Sequence, residues 1–250
     1  MNVILEGKNV SRFFGGLAAV LEVDFQVNQG EIFGLIGPNG AGKTTLFRVI
    51  SGVYPPTTGR IFFKGHDITG HKPHTTCHQG ICSTHQVVKP FPDMTVLENV
   101  MVGAYYGAGI GDRKTAETRA MDALEFTGLA ARANQIAKNL TLPDRNRLEI
   151  ARALATKPEV VLLDEVIAGL NPTETDRTMG LVRQMRDRGI TIFMVEHVMR
   201  AVMGLCDRVM VLNYGKKIAE GTPQEIARNS EVIEAYLGKG FQALSRKGSG

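Results

Sequence analysis

Gly37-Pro38-Asn39-Gly40-Ala41-Gly42-Lys43-Thr44-Thr45 fits the spacing G-x-x-x-x-G-K-[ST], and the apolar run 32–36 comes directly before it. This order predicts a strand, a phosphate-binding loop and a helix. The glycines let successive backbone N–H groups turn towards one anion, and the start of the helix adds positive potential. We predict that the loop binds a nucleoside triphosphate, with Lys43 on the β- and γ-phosphates and the Thr44 hydroxyl on Mg²⁺. The alternative, a glycine-rich turn without a ligand, fits the flanking strand and helix less well.

Composition favours a globular protein of the cell interior. The chain has 250 residues, 43% of them hydrophobic, and a formal net charge of +4. Its longest apolar runs have the length of strands and fall short of the roughly 20 residues of a membrane span. Three cysteines do not make a disulfide framework, and the dispersed basic residues give little support to nucleic-acid binding. We expect a cytoplasmic protein with a flexible tail at residues 238–250.

The order of predicted elements indicates an α/β fold. Residues 2–36 are rich in strands, and residues 44–51 follow the loop as a helix. A capping box, Thr95 to Glu98, opens a helical insert, and residues 144–156 form another helix. Strand 160–163, a helix over 173–188 capped by Asn171, and strand 191–195 then alternate as in a parallel sheet. We predict a nucleotide-binding core of residues 1–86 and 157–237 and a helical subdomain of residues 87–156.

Residues 66–85 contain five of the six histidines together with Cys77 and Cys82. A metal site is one interpretation of this cluster. Because the spacings match no zinc signature and Pro73 and Gly80 interrupt the run, a histidine-rich surface helix and loop is the favoured interpretation.

Polar residues end two of the predicted strands. Asp164 and Glu165 follow an apolar run, and their side chains point in opposite directions on an extended chain. We expect Asp164 to hold Mg²⁺ through a water and Glu165 to accept a proton from the water that attacks the γ-phosphate. His197, after the next strand, can donate a hydrogen bond to the γ-phosphate, or it can merely cap the following helix. Gln86 offers an amide oxygen to the metal where the helical insert begins.

Phe13 and Phe14 stand before the turn Gly15-Gly16. One of these rings can stack on a nucleobase, but from the residues alone a core aromatic at the end of a strand is the favoured interpretation for either.

The set GPNGAGKTT, Gln86, LLDE and His197, in this order, resembles the nucleotide-binding subunits of ABC transporters. The segments FPDMTVLENV, RLEIARALA and GLNPTE are similar to those of ATP-binding components of bacterial uptake systems for branched-chain amino acids. The resemblance covers residues 3 to about 237. It implies a P-loop NTPase of the ABC type, with a mainly parallel sheet core, a β-rich N-terminal part and a helical subdomain. It also implies that Phe14 stacks on the base, that Gln86 senses the metal, that residues 168–171 face another subunit and that residues 90–95 dock on a permease.

The signature segment departs from this family. Where L-S-G-G-Q is usual, the chain has Leu140-Thr141-Leu142-Pro143-Asp144. Thr141 keeps a hydroxyl for the γ-phosphate held by the opposite subunit. Pro143 lacks a backbone donor, Leu142 adds bulk, and Asp144 brings a negative charge, so all three changes oppose phosphate binding. Alternatively, Asp144 is the N-cap of the next helix, and Thr141 alone keeps the contact. Val166 stands where proline is usual, an exchange of unpredicted effect.

The resemblance implies an ATPase that drives import of branched-chain or other hydrophobic amino acids, with ATP and Mg²⁺ as its cofactors. Its implied partners are a second ABC ATPase subunit, favoured as a heterodimer, two transmembrane permeases and, indirectly, a substrate-binding protein. Its implied place is the cytoplasmic side of the inner membrane, bound peripherally. The alternatives are a soluble ABC-type ATPase acting on nucleic acid and a regulatory subunit with weak hydrolysis. The candidate site residues are Lys43, Glu165 and His197 for catalysis, Phe14, residues 37–45, Gln86, Thr141 and Asp164 for the nucleotide, and Thr44, Gln86 and Asp164 for the metal.

Overall fold

The computed structural model describes residues 2–84 and 90–237. Gln86, His85 and residues 238–250 therefore lie outside the described residues, and the predictions made for them stay predictions.

Two sheets stack on a shared core. The first is antiparallel, with strand order β2-β1-β4-β5, and the second has the order β10-β9-β3-β8-β7-β6. In the second sheet β9, β3, β8, β7 and β6 run parallel, and β10 pairs antiparallel with β9. The strands are β1 Val3–Phe14, β2 Leu17–Asn28, β3 Ile32–Ile36, β4 Thr58–Phe63, β5 His66–Asp67, β6 Ile81–Ser83, β7 Val160–Asp164, β8 Thr191–Val195, β9 Arg208–Asn213 and β10 Lys216–Gly221.

Helices cover the parallel sheet and build a separate helical unit. They are α1 Lys43–Ile50, α2 Pro73–His78, α3 Val96–Val102, α4 Arg113–Thr127, α5 Leu142–Ala155, α6 Pro172–Asp187, α7 Met199–Leu205, α8 Pro223–Arg228 and α9 Ser230–Leu237. A π-helical turn, Gly103–Gly107, continues α3, and short 3₁₀ turns lie at Ala130–Arg132 and Ala137–Asn139. Among the described residues, no helix has both the length and the apolar character that a bilayer span needs.

Strand β3 is buried on both faces, as its continuous apolar sequence predicts. Phe33 and Leu35 join the cluster between the two sheets, where α1 also packs. Ile32 and Ile36 point to the opposite face and join the cluster under α6 and α7. A third cluster lies within α3, α4 and α5. The α/β fold predicted from the order of elements is confirmed.

The pairing of the strands brings the predicted site residues to one edge. Leu35 of β3 lies opposite Val195 of β8, and Val195 lies opposite Asp164 of β7. Because these strands are parallel, the chain segments that follow them leave the sheet at the same side. The phosphate loop, Asp164 with Glu165, and His197 therefore share the carboxyl edge of the sheet.

Candidate functional site

The glycine-rich loop surrounds a cleft of about 540 Å³, which Leu17, Ala18, Ala19, Asn39–Thr45, Glu165 and Tyr214 line. Gly42, at the start of α1, has φ 101°, and Gly37 has φ 151°. A Cβ atom would lie 2.1 Å from the Leu212 carbonyl oxygen at Gly37, and 2.2 Å from the Ala19 carbonyl oxygen at Gly42. Close backbone packing therefore requires glycine at both positions. The first N–H groups of α1 have no partner within the helix and remain available to an anion.

Lys43 lies inside this loop. Its side chain is buried, and its Nζ donates hydrogen bonds to the carbonyl oxygens of Gly37, at 2.8 Å, and Pro38, at 3.0 Å. Burial lowers the pKa of the Lys43 ammonium, while the carboxylates of Glu165 and Asp164 oppose this shift. The positive charge is thus held at the base of the cleft by carbonyl groups that phosphate oxygens can replace.

Asp164 ends β7 in a site that suits a cation. It is 7% exposed, and its Oδ1 is buried without a hydrogen-bond partner among the described residues. Burial, followed by the like charge of Glu165, raises the pKa of Asp164 to about 6, while Arg48 and Lys43 oppose the shift. An orphaned carboxylate oxygen here and the Thr44 hydroxyl in the cleft are hard oxygen ligands of the kind that Mg²⁺ takes. The residues present fit that ion.

Glu165 begins a loop that turns sharply away from the sheet. Its φ of 53° is left-handed, a conformation that is uncommon for a residue other than glycine or asparagine. Its N–H donates to the Val195 carbonyl oxygen at 3.0 Å, and its Oε1 lies 3.8 Å from Nδ1 of His197. Glu165 lines the cleft, and the His197 side chain is half exposed beside it.

Not every predicted residue lines the cleft. Phe14 is 40% exposed at the end of β1, where Arg12 lies 4.7 Å from its ring centroid and Tyr54 packs edge-on at 5.3 Å. Phe13 is half-buried, so neither ring is a buried core aromatic. Thr141 is exposed and lies outside the cleft.

The structure adds residues that sequence reasoning missed. Tyr214, in the β9–β10 turn, is 85% exposed and lines the cleft. Thr84 accepts a hydrogen bond from the N–H of Asp164 at 3.1 Å. Glu196, next to His197, is buried and bonds the N–H of Ile167 at 3.0 Å. The sequence signal for Glu196 is its place beside His197 directly after a strand, and this signal does not distinguish a supporting carboxylate from an ordinary strand end.

The signature segment forms the start of α5, and here one interpretation was wrong. The N-cap of α5 is Thr141, with Leu142 and Pro143 as the first two helical residues, so Asp144 is not the N-cap. Asp144 lies inside the protein and pairs with the guanidinium groups of Arg132 and Arg147. Its charge is thus neutralised within the subunit, which corrects the expectation that it opposes phosphate. Proline suits this position of a helix because the N–H there needs no intrahelical partner.

The histidine-rich region forms the expected short surface helix, α2, and an adjoining loop. His71 Nδ1 lies 3.2 Å from Gln79 Oε1, and His78 Nε2 lies 2.5 Å from the Tyr106 carbonyl oxygen. Within residues 2–84 and 90–237, no group of three or more histidine, cysteine, aspartate or glutamate side chains is arranged to hold a metal.

Comparisons with known proteins agree with this site. A family model described as ABC transporter matches residues 20–168, and one described as branched-chain amino acid ATP-binding cassette transporter matches residues 216–242. The high-affinity branched-chain amino acid transport ATP-binding protein LivG of Salmonella typhimurium is 43% identical over 240 residues, 90% of this chain and 94% of the relative. The corresponding protein BraF of Pseudomonas aeruginosa is 39% identical over 250 residues, 94% of this chain and 98% of the relative.

A solved structure agrees as well. The ADP conformation of an ATP-binding cassette of an ABC transporter superposes with a TM-score of 0.88 and 32% identity, covering 96% of this chain and 100% of the other. With the phosphate loop, the paired carboxylates and the histidine at one sheet edge, these matches establish that the chain belongs to the ATP-binding cassette family of ABC transporters.

Proposed function

We propose that this chain is the ATP-hydrolysing subunit of an importer for branched-chain or other hydrophobic amino acids. One observation carries the proposal: Lys43, Asp164 and Glu165 meet at one edge of the sheet beside a cleft that the glycine-rich loop lines. An ATP-binding subunit of such a transporter makes no contact with the transported ligand. The choice of amino acids as the transported class is therefore supported by the names of the relatives and not by the cleft.

The chain's own residues divide the work of hydrolysis. The backbone N–H groups of residues 37–45 and the Lys43 ammonium bind the phosphates, and Phe14 stacks on the base. Thr44, Asp164 and Gln86 would hold Mg²⁺, and the bound ion would neutralise negative charge on the phosphates. Glu165 accepts the proton of the attacking water, and His197 donates a hydrogen bond to the γ-phosphate.

We further propose the partners. Two transmembrane permeases dock on the segment 90–95, a second ABC ATPase closes over the nucleotide, and a substrate-binding protein delivers the ligand. The docking segment is firmly held, because buried Asn99 bonds both polar atoms of the Phe91 backbone, at 2.8 and 3.1 Å, while the Phe91 side chain stays exposed. The subunit is thereby bound peripherally to the cytoplasmic side of the inner membrane.

A second candidate, a subunit that binds ATP but hydrolyses it weakly, is favoured by Pro143, which removes a backbone donor from the signature segment. Glu165→Gln separates the two. If this chain hydrolyses ATP, the variant loses about 10²- to 10⁴-fold in turnover and retains ATP. If turnover in the assembled transporter is unchanged, the second candidate holds.

The experiment for the main proposal measures ATP binding by the purified chain, and it measures leucine uptake by lipid vesicles that hold the chain with the second ATPase subunit, the two permeases and the substrate-binding protein. We expect saturable binding of labelled ATP with Mg²⁺ and ATP-dependent uptake of leucine, both lost in Lys43→Ala. The control is Lys217→Ala, which alters an exposed surface pair with Glu220. Binding of ATP by Lys43→Ala at wild-type affinity would contradict the proposal.

A further inference from the structure

The peptide bond between Val166 and Ile167 is held from both sides by buried side chains. Asn146 Nδ2 donates to the Val166 carbonyl oxygen at 2.9 Å, and the Ile167 N–H donates to Oε1 of Glu196 at 3.0 Å. Asn146 is 5% exposed and Glu196 is 1% exposed. Since the carbonyl and the N–H belong to one planar unit, the two bonds together fix the orientation of that plane.

Glu196 is costly to bury. Its Oε2 makes no hydrogen bond of normal geometry with any described residue, although the backbone N–H groups of His197 and Val198 lie near enough to the carboxyl group to lower its pKa. Burial raises the pKa of Glu196 to about 7, the N–H of Ile167 opposes the shift, and the nearby Glu165 adds to it. An apolar side chain of similar size would avoid this penalty, but it would leave the buried N–H of Ile167 without an acceptor. Packing alone therefore does not explain a glutamate at this place.

The bond from Glu196 connects the two loops that carry the chemistry. On one side Ile167 follows Glu165 by two residues, and on the other Glu196 directly precedes His197. The Glu165 N–H also donates to the Val195 carbonyl oxygen, so a backbone hydrogen bond already joins the two loops where they begin. The bond from Ile167 to Glu196 joins them a second time, one or two residues further along each loop. Without it, the left-handed turn at Glu165 would have less to keep it in place.

We infer that Glu196 is a positioning residue for hydrolysis. Its carboxyl oxygen holds the Val166–Ile167 peptide so that the side chains of Glu165 and His197 face the same attacking water. Through Asn146, the same peptide connects this arrangement to α5, which begins with the signature segment. The inference rests on the proposed function of Glu165 and His197 and adds a residue that does not itself touch the nucleotide.

The test compares Glu196→Ala with Glu196→Gln in the assembled transporter. The glutamine keeps an oxygen that accepts the Ile167 N–H, and the alanine does not. We expect Glu196→Ala to lower kcat by about 10- to 100-fold, since misplacing a catalytic group by 1 Å can cost about 10²-fold. The KM for ATP should stay within about twofold, because the phosphate loop is untouched, and Glu196→Gln should restore kcat to within about threefold of wild type.

A matched control is Glu31→Ala. Glu31 also accepts a backbone N–H, that of Asn28 at 2.6 Å, but it lies at the opposite end of the parallel sheet, before β3. We expect it to change stability and leave kcat per folded molecule unchanged.

Two results would overturn the inference: wild-type kcat in Glu196→Ala, or a Glu196→Gln protein as slow as the alanine variant. Should Glu196→Ala not fold, Asn146→Ala decides, since it frees the other polar atom of the same peptide. An unchanged kcat in that variant would overturn the inference too. Failure of the proposed function is distinguishable, because wild-type protein would then not hydrolyse ATP at all.

Discussion

Two exposed aromatic residues are candidates for stacking on the base: Tyr214 lines the nucleotide cleft, and Phe14 lies outside it at the end of β1. Phe14 has the Arg12 guanidinium over its ring and Tyr54 at its side. Tyr214 is 85% exposed at the cleft, and no ring or guanidinium of the described residues stacks on it. The resemblance to ABC transporter subunits implies that Phe14 is the residue that stacks on the nucleobase. A ring with one covered face can still offer its other face to a base.

We predict that Phe14→Ala weakens ATP binding about tenfold, since stacking of a base on an aromatic ring contributes about 1–3 kcal/mol. Binding of inorganic tripolyphosphate, which has no base, should not change. Tyr214→Ala is the comparison variant. Loss of ATP affinity in Tyr214→Ala, with wild-type affinity in Phe14→Ala, would transfer the stacking role to Tyr214. Equilibrium titration with both ligands measures the outcome.

Two buried carboxyls at the sheet edge predict a pH dependence of stability. Burial is the main cause that raises the pKa of Asp164 to about 6 and that of Glu196 to about 7. A carboxyl with a raised pKa in the folded state binds its proton more tightly there than in the unfolded chain. Burial of the ionised carboxylate lowers the free energy of unfolding at high pH. This loss is regained as the pH falls through the folded-state pKa, because the carboxyl group then becomes neutral.

For nucleotide-free protein in EDTA, we predict that Glu196→Gln increases the free energy of unfolding at pH 8. The gain is on the order of 3 kcal/mol at most, because one pKa unit corresponds to about 1.4 kcal/mol. The difference from wild type should narrow as the pH falls to 5. Urea unfolding of both proteins across this range measures it, and a difference that does not vary with pH would contradict the assignment.

At the scale of elements, helix starts show what a sequence can and cannot predict. The capping box at Thr95 and the cap at Asn171 were predicted and are confirmed, because the partners of these side chains lie three residues away, and Glu174 makes a capping box at Asn171 as well. The start of α5 was placed at Asp144 and was wrong. An aspartate before a helix suggests a cap, but the burial of Asp144 and its pairing with Arg132, 12 residues earlier, depend on packing that local sequence does not record.

The internal pairing of Asp144 leads to a prediction about α5. Asp144→Asn would leave Arg132 and Arg147 without their shared carboxylate; loss of the buried partner of Arg147 costs up to about 3–5 kcal/mol, whereas Arg132, which is half exposed, adds little. We expect a clear loss in the free energy of unfolding and no gain in ATPase rate. The matched control, Asp176→Asn, breaks an exposed pair with Arg200 and should change stability by less than about 1 kcal/mol. A faster ATPase of unchanged stability would mean instead that the Asp144 charge does repel phosphate.

At the scale of the whole molecule, the sequence predicted the parallel core because each motif follows an apolar run of strand length. It could not predict that Leu35, Val195 and Asp164 would lie side by side, since the strands are far apart in the chain. For the same reason, the bond from Glu196 to Ile167, which spans 29 residues, was not foreseen. The residues that belong to sequence motifs could be predicted from the sequence. The residues that hydrogen-bond to the loops carrying those motifs could be identified only from the three-dimensional structure.

The signature segment bears on how two subunits assemble. If the start of α5 meets the nucleotide of an opposite subunit, as we propose, two features would oppose phosphate there: Pro143 has no N–H, and Leu142 is 50% exposed. A homodimer would carry two weakened sites, whereas a heterodimer would set this chain's phosphate loop against another subunit's signature.

We predict that the purified chain alone hydrolyses ATP slowly and that addition of the second ATPase subunit raises the rate by at least about tenfold. The removal of one donor to a phosphate or oxyanion typically lowers kcat by about 10²- to 10³-fold.

The double variant Leu142→Gly with Pro143→Gly returns a backbone donor and removes bulk, so it should raise the ATPase rate of the lone chain. Combining it with Glu165→Gln is the control, since that protein should stay inactive if the restored rate arises at this chain's own site. ATPase rates measured against protein concentration test both the addition of the second subunit and the double variant. Robust turnover of the unaltered lone chain at low concentration would rule out the need for a second kind of subunit.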